Sequence, residues 1–567
     1  MCGIHAVIST RRPATLSPSL KQRLCSRGPD HLGNYETRVA LADGQDCYLC
    51  FTSTVLSLRG DHVARQPFVD ANTGSVFCWN GEAWKIHHDD VAGNDGEAIA
   101  SLLKRAPQGD RTARRDAILK ILRSIEGPFA FVYFDKPSGE VYLGRDRLGR
   151  RSLLLREDPG THEIVVSSVA ESKDPSWREV EADGIYVLQL DLHVASAENP
   201  GSISSITRAS WFEEDDGDDI VSSIGRFNKS LPSGHFTLTS SSPSMSALRE
   251  HLIASLKLRV LHVPHPPSAT LTEATRVAIL FSGGLDCTVL ARICHDLVPA
   301  DQGLDLINVA FENPRVASNM QKAREEAEGD SLGDDIYEIC PDRVTGRKSF
   351  AELQKACPGR AWRLVAVNVP YTEYLSHKDE VISLMFPHNT EMDLSIACAL
   401  YFAARGQGLC YTDSTFMSPP VAYTTPARVL LSGLGADELF GGYGRHGIAY
   451  SRQGYAGLVD ELLLDISRLG RRNLGRDDRV MSHWGREVRF PYLDEELIRW
   501  AIETPAWEKC DFENAEGAVE PGKRVLRLVA LGLGMGGVAG EKKRAIQFGS
   551  RTAKMESGRV KGTAVIS

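Results

Sequence analysis

The sequence lacks any run of about 18 apolar residues, the length that a membrane-spanning helix needs. Its start, MCGIHAVIST, lacks the basic residues and the long apolar stretch of a secretory leader. It also lacks an excess of positive charge, because 65 Lys and Arg residues stand against 74 Asp and Glu residues, a net charge of −9. Broad nucleic-acid-binding surfaces are normally basic. We therefore expect a cytoplasmic protein whose partners include neither a membrane nor a nucleic acid.

Internal repeats and a zinc-type cysteine framework are also missing. Cys47 and Cys50 have the spacing of one zinc pair, but no second pair lies at a suitable distance, so both are interpreted as core residues. The twelve cysteines are scattered, as is usual in a reducing compartment. Hydrophobic content of 42% and charged content of 25% are ordinary for a globular chain, and 567 residues require more than one domain.

The pattern of apolar residues divides the chain into four parts. Residues 1–195 read as short strands bounded by Gly, Pro or Asp with few helices, which predicts an α+β domain built on two sheets. Residues 196–245 are acidic and serine-rich and predict a linker. Residues 246–550 alternate strand-length apolar runs with helical stretches, which predicts an α/β domain with a doubly wound parallel sheet. We expect residues 551–567 to form a loose tail.

Cys2 is the first residue with chemical potential. Removal of Met1 would leave this cysteine with a free α-amine, which can act as the base for the adjacent thiol. Such a thiol can attack a carboxamide and form a thioester. Taken alone, a cysteine at position two indicates little.

Four further segments give Cys2 a context: Arg27–Asp30, Asn80–Glu82, Asn94–Glu97 and Gly144–Arg150. With the amino terminus, these segments resemble the class II, or N-terminal nucleophile, glutamine amidotransferases in sequence and in order. The resemblance implies a two-sheet sandwich and a glutamine-hydrolysing activity.

The same resemblance assigns roles to individual residues. Cys2 is the expected nucleophile, and the Asn80 side chain with the Gly81 amide forms the expected oxyanion hole. Glu82 and Asp95 are expected to hold the ammonium group of glutamine.

One position departs from this pattern. Val55 stands where the family has the arginine that binds the α-carboxylate of glutamine. Arg27 is one candidate replacement. Arg59 is another, although on a continuous strand its side chain would lie about 13 Å further along.

A glycine-rich loop follows the strand-like residues Val277–Phe281. Ser282–Cys287 contains two glycines, which let backbone amides and a helix N-terminus face an anion. The loop is not a Walker loop, since no Gly-Lys-Ser/Thr ends it, nor is it a GxGxxG fingerprint. By itself it is equally compatible with a simple turn into a helix.

Two later motifs decide between these interpretations. SGLGADELFGGY at 432–443 follows another strand-like run, and GREVRFPYLD lies at 485–494. Together with 282–287 they resemble the asparagine synthetase family, in order and across nearly the whole chain. The resemblance implies a pyrophosphate loop that splits ATP into AMP and pyrophosphate.

This second resemblance assigns the nucleotide and metal positions. ATP is expected to contact Leu280, Ser282, Gly283, Gly284, Asp286, Cys287, Val309 and Gly433. Mg²⁺ is expected at Asp286 and Asp437, whose carboxylates suit this hard ion together with phosphate oxygens.

The resemblance implies a complete reaction. Cys2 would release ammonia from glutamine, ATP would adenylate a carboxylate in the second domain, and ammonia would displace AMP. We expect L-aspartate, L-glutamine and ATP to give L-asparagine, L-glutamate, AMP and pyrophosphate. The cofactors are then ATP and Mg²⁺, and the other partners are glutamine and aspartate or a related carboxylate. A homodimer is left open.

The synthetase half departs from its pattern at four positions. Cys287 and Ala436 replace serines, Leu434 replaces an active-site glutamate, and Ala545 falls where the family has a lysine. Lys542, Lys543 and Arg544 are candidate replacements for that lysine.

These departures leave two alternatives to asparagine synthesis. The chain could be a diverged amidotransferase with another carboxylate acceptor, or a weakly active or inactive paralogue with a regulatory or binding role. VLSLRGD, GRDRLGRRSLL and KRAIQFGSRTAKME resemble a narrower group, the asparagine synthetase domain-containing proteins.

Overall fold

The computed structural model separates the chain into two compact units. Unit one comprises residues 1–224 and 467–485, and unit two comprises 225–466 and 486–567. The structure describes residues 1–13, 15–158, 160, 163–190, 206–212, 223–265, 275–319, 335–514, 519–553, 555 and 561–566.

Unit one is built mainly from strands. In chain order they are β1 (Gly3–Ser9), β2 (His31–Ala40), β3 (Asp46–Val55), β4 (Phe68–Val69), β5 (Val76–Gly81), β6 (Lys85–Ile86), β7 (Asp89–Asp90), β8 (Ile125–Glu126), β9 (Phe129–Asp135), β10 (Glu140–Arg145), β11 (Leu154–Asp158), β12 (Glu163–Ser167), β13 (Arg178–Glu179), β14 (Gly184–Gln189) and β15 (Thr207–Ser210). They form one sheet in the order β13-β11-β12-β1-β3-β2, a second in the order β15-β14-β10-β9-β5-β4, and a small sheet β7-β6-β8.

The helices of unit one are few. They are Pro18–Arg27, Asp95–Lys104, Arg111–Arg123, Leu469–Arg472 and Leu474–Ser482. The first of them was not predicted from the sequence, because its apolar residues are sparse.

Alternation along β9 shows how the layers of unit one pack. Val132 and Phe134 belong to the apolar core between the two large sheets. Phe131 and Tyr133 point the other way, into a second core formed with the helices that follow β7. Successive strand residues face opposite sides of a sheet, so one strand contributes to both cores. The predicted two-sheet α+β domain is confirmed.

The segment 467–485 belongs to unit one although it is far away along the chain. Asp478 accepts a hydrogen bond from Arg27 at 2.9 Å and from the Ser152 amide at 3.0 Å. The side chains of Arg27 and Asp478 are both fully buried. Arg479 also forms an ion pair with Glu179 at 2.5 Å. Each of these charges has an oppositely charged partner within unit one.

Unit two contains the other sheet. Its strands are β16 (Val277–Leu280), β17 (Leu304–Phe311), β18 (Trp362–Val369), β19 (Gln407–Tyr411), β20 (Val421–Thr424), β21 (Val429–Leu431) and β22 (Glu487–Arg489), in the order β20-β19-β18-β17-β16-β21-β22. The five adjacent strands β18, β17, β16, β21 and β22 are parallel to one another. β19 and β20 add an antiparallel edge beside β18. The predicted α/β doubly wound sheet is confirmed.

Helices connect and cover these strands. They are Pro243–Val260, Leu285–Leu297, Pro341–Ala356, Tyr371–Met385, Glu391–Arg405, Ala436–Phe440, Gly444–Ser467 with a break at Gln453 and Gly454, Glu495–Glu503, Arg524–Gly532, Gly536–Ala539 and Ile546–Gly549, with 3₁₀ turns at Pro491–Leu493 and Ala506–Glu508. None of the helices in the described residues is long and apolar enough to cross a membrane.

The unit boundaries differ from the four parts expected from the sequence. β15 falls inside the expected linker 196–245 and pairs with β14, so unit one extends beyond residue 195. The acidic run 213–219 lies outside the described residues. In the expected tail, the Gly562 carbonyl accepts a hydrogen bond from the Met392 amide at 2.9 Å. The described end of the chain therefore packs along the start of a helix.

Substitution of Asp478 tests how much its ion pair with Arg27 stabilises the packing of segment 467–485 in unit one. Asp478→Ala leaves the buried Arg27 charge without its carboxylate, so we expect the free energy of unfolding to fall by about 3–5 kcal/mol. Urea unfolding followed by circular dichroism measures the change. Asp116→Ala, at an exposed helical position of unit one, is the control and should change the free energy by less than about 0.5 kcal/mol. Equal effects in the two variants would contradict this account.

Candidate active sites

Cys2 lies immediately before β1, and contacts from Arg27 and Gln66 help to hold it. Its residue is 8% exposed. Arg27 donates from Nε to the Cys2 carbonyl at 3.2 Å. The Gln66 side chain approaches the sulfur, with 4.0 Å between Nε2 and Sγ. The backbone and the thiol of Cys2 are therefore positioned separately.

Asn80 and Gly81 end β5. In the same strand, the Trp79 amide donates to the side-chain Oε1 of Gln66 at 2.8 Å, so the Gln66 side chain joins the Cys2 sulfur to the residue before Asn80. The Asn80 side chain is fully buried, and neither Nδ2 nor Oδ1 has a hydrogen-bond partner among the described residues. Buried amide groups without partners cost free energy and are rare. Such a group indicates a position that a ligand completes.

Glu82 and Asp95 contact the residues that surround Asn80 and Gly81, and Arg59 pairs with Glu82. An Arg59 Nη1 lies 3.6 Å from Glu82 Oε2, and the guanidinium also donates to the Val91 carbonyl at 2.6 Å. Asp95 accepts from the Trp79 indole at 3.0 Å and from the Ala83 amide at 2.8 Å. Burial raises the pKa of Asp95, and the Arg59 charge opposes that shift.

The structure places the two candidate arginines differently. Arg27 is buried against Asp478, with Nη1 donating to Ser482 Oγ at 2.5 Å and Nε donating to the backbone carbonyl of Cys2. Arg59 reaches Glu82 because β3 ends at Val55. The 13 Å offset expected for a continuous strand therefore does not apply. The sequence did not predict that the strand ends at Val55, since VLSLRGD alternates like a strand.

Gln66 was not a sequence candidate. It occurs in a loop, in the segment Ala64–Phe68, and no local pattern marks it as a contact of the thiol. Only the fold brings it to Cys2.

In unit two, the predicted pyrophosphate loop follows β16 directly. Gly283 has φ +78°, and a side chain there would overlap the backbone of Gly346. The loop ends at Gly284, the N-cap of helix Leu285–Leu297. Ser282 Oγ accepts from the Gly284 amide at 3.3 Å, and Cys287 Sγ donates to the Gly284 carbonyl at 3.3 Å. The loop therefore combines a positive-φ glycine with a helix N-terminus, a local geometry that suits an anion.

The loop after β21 meets the pyrophosphate loop. β16 and β21 are adjacent and parallel, and β17 follows β16 on the other side, so the strand order reverses between β16 and β21. Ligands of open α/β sheets bind at such a reversal, beyond the carboxyl ends of the strands. Leu280, Val309 and Gly433 all lie at or near the carboxyl ends of these three strands. The expected nucleotide positions are therefore neighbours.

The two expected magnesium ligands converge on one lysine. Lys523 Nζ lies 2.7 Å from Asp286 Oδ2 and 2.6 Å from Asp437 Oδ1, and it is 4% exposed. Lys543 forms an ion pair with the other oxygen of Asp437. Burial alone would raise the pKa of Asp437, but these two ammonium groups hold it well below its usual range.

The aspartates fit a hard divalent ion only in part. Asp286 and Asp437 supply carboxylate oxygens from two loops that meet. Within the described part of the chain, no cluster of three or more His, Cys, Asp or Glu side chains could hold a metal. A Mg²⁺ ion held by these two carboxylates would need phosphate oxygens to complete its coordination.

Lys523 was missed by the sequence reasoning. Its one local signal is position, since it directly precedes the amphipathic helix Arg524–Gly532. Of the three cations considered as replacements at Ala545, Lys543 binds Asp437, Arg544 lies 3.9 Å from Asp342, and Lys542 is largely exposed. Lys543 therefore belongs to the same cluster as Asp437, Asp286 and Lys523.

Two family models match the chain. One, described as a glutamine amidotransferase domain, matches residues 54–172. The other, described as asparagine synthase, matches residues 450–562.

Relatives match over much more of the chain. Asparagine synthetase domain-containing protein 1 of Bos taurus is 32% identical over 99% of this chain and 97% of its own length. The Homo sapiens protein of the same name is 30% identical over 98% and 96%. Asparagine synthetase B (glutamine-hydrolyzing) of Escherichia coli is 21% identical over 88% and 75%. The chain therefore belongs to the asparagine synthetase domain-containing protein 1 family, and its own sequence joins a glutamine amidotransferase region to an asparagine synthase region.

Proposed function

We propose that the protein is a glutamine-hydrolysing, ATP-dependent amide synthetase of the asparagine synthase type. It converts L-aspartate, L-glutamine and ATP to L-asparagine, L-glutamate, AMP and pyrophosphate. The buried carboxamide of Asn80, whose polar atoms lack partners in the described structure, is the observation that carries this proposal. It lies next to the residue that Gln66 links to the Cys2 sulfur.

Hydrolysis of glutamine begins at Cys2. After removal of Met1, the α-amine takes the thiol proton, and Sγ forms a bond to the carboxamide carbon. The negative charge that develops on the oxygen is stabilised by the Asn80 side chain and the Gly81 amide. The C–N bond then breaks, ammonia leaves with the proton returned by the amine, and water hydrolyses the thioester to glutamate.

Glutamine is held by an opposite-charge pair. The Glu82 carboxylate suits the α-ammonium, and the neighbouring Arg59 guanidinium suits the α-carboxylate. Arg59 is the better candidate than Arg27, because the Arg27 charge is already neutralised by Asp478.

The second half-reaction activates the acceptor. A carboxylate oxygen of aspartate attacks the α-phosphorus of ATP, the bond to pyrophosphate breaks, and ammonia then displaces AMP from the acyl carbon. The pyrophosphate loop binds the phosphates through Ser282, Gly283 and Gly284. Bound Mg²⁺ would neutralise phosphate charge at Asp286 and Asp437. Lys523 and Lys543 contribute positive charge at the same place.

A second candidate function is amide formation on another carboxylate. Leu434 stands where the asparagine synthetase pattern has a glutamate, and its amide binds Ser432 Oγ at 3.3 Å. An apolar side chain at that position favours a different or bulkier acceptor. A silent binding protein would have no use for the intact set of Cys2, Asp286 and Asp437.

The central test follows four products together. Protein lacking Met1 is incubated with ATP, Mg²⁺, glutamine and aspartate, and pyrophosphate, AMP, glutamate and asparagine are measured by mass spectrometry. We expect equal amounts of pyrophosphate and asparagine. Cys2→Ala should abolish glutamate release while ammonium still supports amide formation, because only the nucleophile is lost. Cys25→Ala is the control.

Two results would change the conclusion. Glutamate release by Cys2→Ala at the wild-type rate would sink the amidotransferase proposal. Release of glutamate without aspartate-dependent release of pyrophosphate would indicate that the acceptor is a carboxylate other than aspartate.

Arg59→Met tests the recognition of glutamine. We expect KM for glutamine to rise about 10- to 100-fold, since a hydrogen-bonded ion pair contributes about 1.5–3 kcal/mol. Amide formation from ammonium should be unchanged. Arg38→Met, an exposed arginine of β2, should leave both parameters unaltered. An unchanged KM in Arg59→Met would mean that another cation binds the α-carboxylate of glutamine.

Lys523→Met tests the carboxylate cluster of unit two. Loss of this ammonium leaves Asp286 and Asp437 facing each other, and we expect ATP-dependent pyrophosphate release to fall by about 100-fold or more. Glutamate release at Cys2 should persist, which shows that unit one is folded, and the circular dichroism spectrum should match that of the wild type. Lys542→Met, at a largely exposed position, is the matched control. Normal pyrophosphate release in Lys523→Met would exclude Lys523 from the reaction.

A further inference from the structure

Gln66 is buried in the loop between β3 and β4 and bridges two parts of the thiol site. Its residue is 5% exposed. Oε1 accepts a hydrogen bond from the Trp79 amide at 2.8 Å, and Nε2 lies 4.0 Å from Cys2 Sγ. The sequence patterns and the proposed oxyanion hole leave this residue without a role.

The orientation of the Gln66 carboxamide is determined by its partner. A backbone N–H group can only donate, so the oxygen of the carboxamide must face Trp79. The amino group must then face the sulfur of Cys2. Side-chain amides are often ambiguous between two flipped orientations, but here the Trp79 amide removes the ambiguity.

The backbone of Gln66 is also held in place. A side chain at Gly33 of β2 would overlap the Gln66 carbonyl oxygen, so the loop packs directly on the strand. The carboxamide is therefore fixed at its base by Gly33 and at its oxygen by Trp79. Its amino group is presented to the thiol by a rigid support.

We propose that the Gln66 amino group donates a hydrogen bond to the thiolate of Cys2 and thereby aligns the sulfur with the oxyanion donor on β5. The proposal rests on the glutamine-hydrolysing function proposed above. An N–H donor interacts more strongly with a thiolate than with a neutral thiol. It therefore favours transfer of the thiol proton to the α-amine, the step that precedes attack. Contacts of this kind are often long before substrate binds.

Two variants separate hydrogen-bond donation from packing. Gln66→Glu keeps the shape and the acceptor for the Trp79 amide, but it turns an oxygen toward the sulfur. Gln66→Met keeps the length and removes both polar groups. If Gln66 only supports the loop, the thiol of Cys2 should react in Gln66→Glu as in wild type and more slowly in Gln66→Met. If Gln66 donates to the thiolate, the thiol should react most slowly in Gln66→Glu, because a carboxylate repels the thiolate.

The primary measurement is the rate at which iodoacetamide alkylates Cys2 in the whole chain after removal of Met1, followed by peptide mass spectrometry. The pH is set to about 8, above the ordinary pKa of a glutamate side chain. Alkylation of Cys25, which is partly exposed, is the internal reference. Gln108→Glu, at an exposed position of unit one, controls for the added negative charge.

We expect the ratio of Cys2 to Cys25 alkylation to fall about tenfold or more in Gln66→Glu, and less in Gln66→Met. In the glutamate-release assay, kcat should fall in the same order while KM changes little, because Gln66 contacts the sulfur. The reverse order, or a Cys2 rate in Gln66→Glu equal to that in Gln108→Glu, would overturn the proposal.

The two assays distinguish two kinds of failure. Alkylation needs no turnover, so it ranks the variants even if wild-type protein releases no glutamate. Absence of glutamate release with the expected alkylation order would reject the proposed function and keep the role of Gln66. Normal glutamate release in both variants would reject the role of Gln66 and keep the function.

Discussion

A guanidinium removed from water must be neutralised, and Arg27 is neutralised by Asp478, 451 positions further along the chain. Leaving such a charge unpaired is strongly unfavourable, so this ion pair determines that segment 467–485 belongs to unit one. The same guanidinium donates to the carbonyl of Cys2. The proposed nucleophile is therefore held, through one buried arginine, by residues that come from near the other end of the sequence.

Satisfied and unsatisfied polar groups distinguish structure from chemistry in both units. In unit one, Gln66 is fixed at its oxygen by Trp79, whereas the neighbouring Asn80 carboxamide is buried without a partner among the described residues. The first group is held in place by its partner, and the second is the one that we propose stabilises a developing oxyanion. In unit two, Asp286 and Asp437 lie close together because Lys523 lies between them. Two carboxylates that contact the same ammonium group would repel each other without it.

The departures from the asparagine synthetase pattern have different weights in the structure. Cys287 remains in the pyrophosphate loop and donates to the Gly284 carbonyl, so the loop keeps its shape without the serine. Lys543 binds Asp437, so a positive charge persists although Ala545 carries none. Leu434 has no such substitute in the proposed mechanism. The acceptor, more than glutamine or ATP, is where this family member is expected to differ.

The sequence by itself determined the two-sheet domain, the doubly wound sheet, the position of Asn80 at a strand end and that of Asp286 in the first turn of a helix after a strand. Those features depend on local patterns, namely residues that alternate along strands and glycines that follow them. Arg59, Gln66 and Lys523 could not be placed in this way. Arg59 reaches Glu82 only because β3 ends early, and Gln66 and Lys523 contact groups far away along the chain. Only the tertiary structure decided these contacts, because a local pattern carries no record of which distant segments pack together.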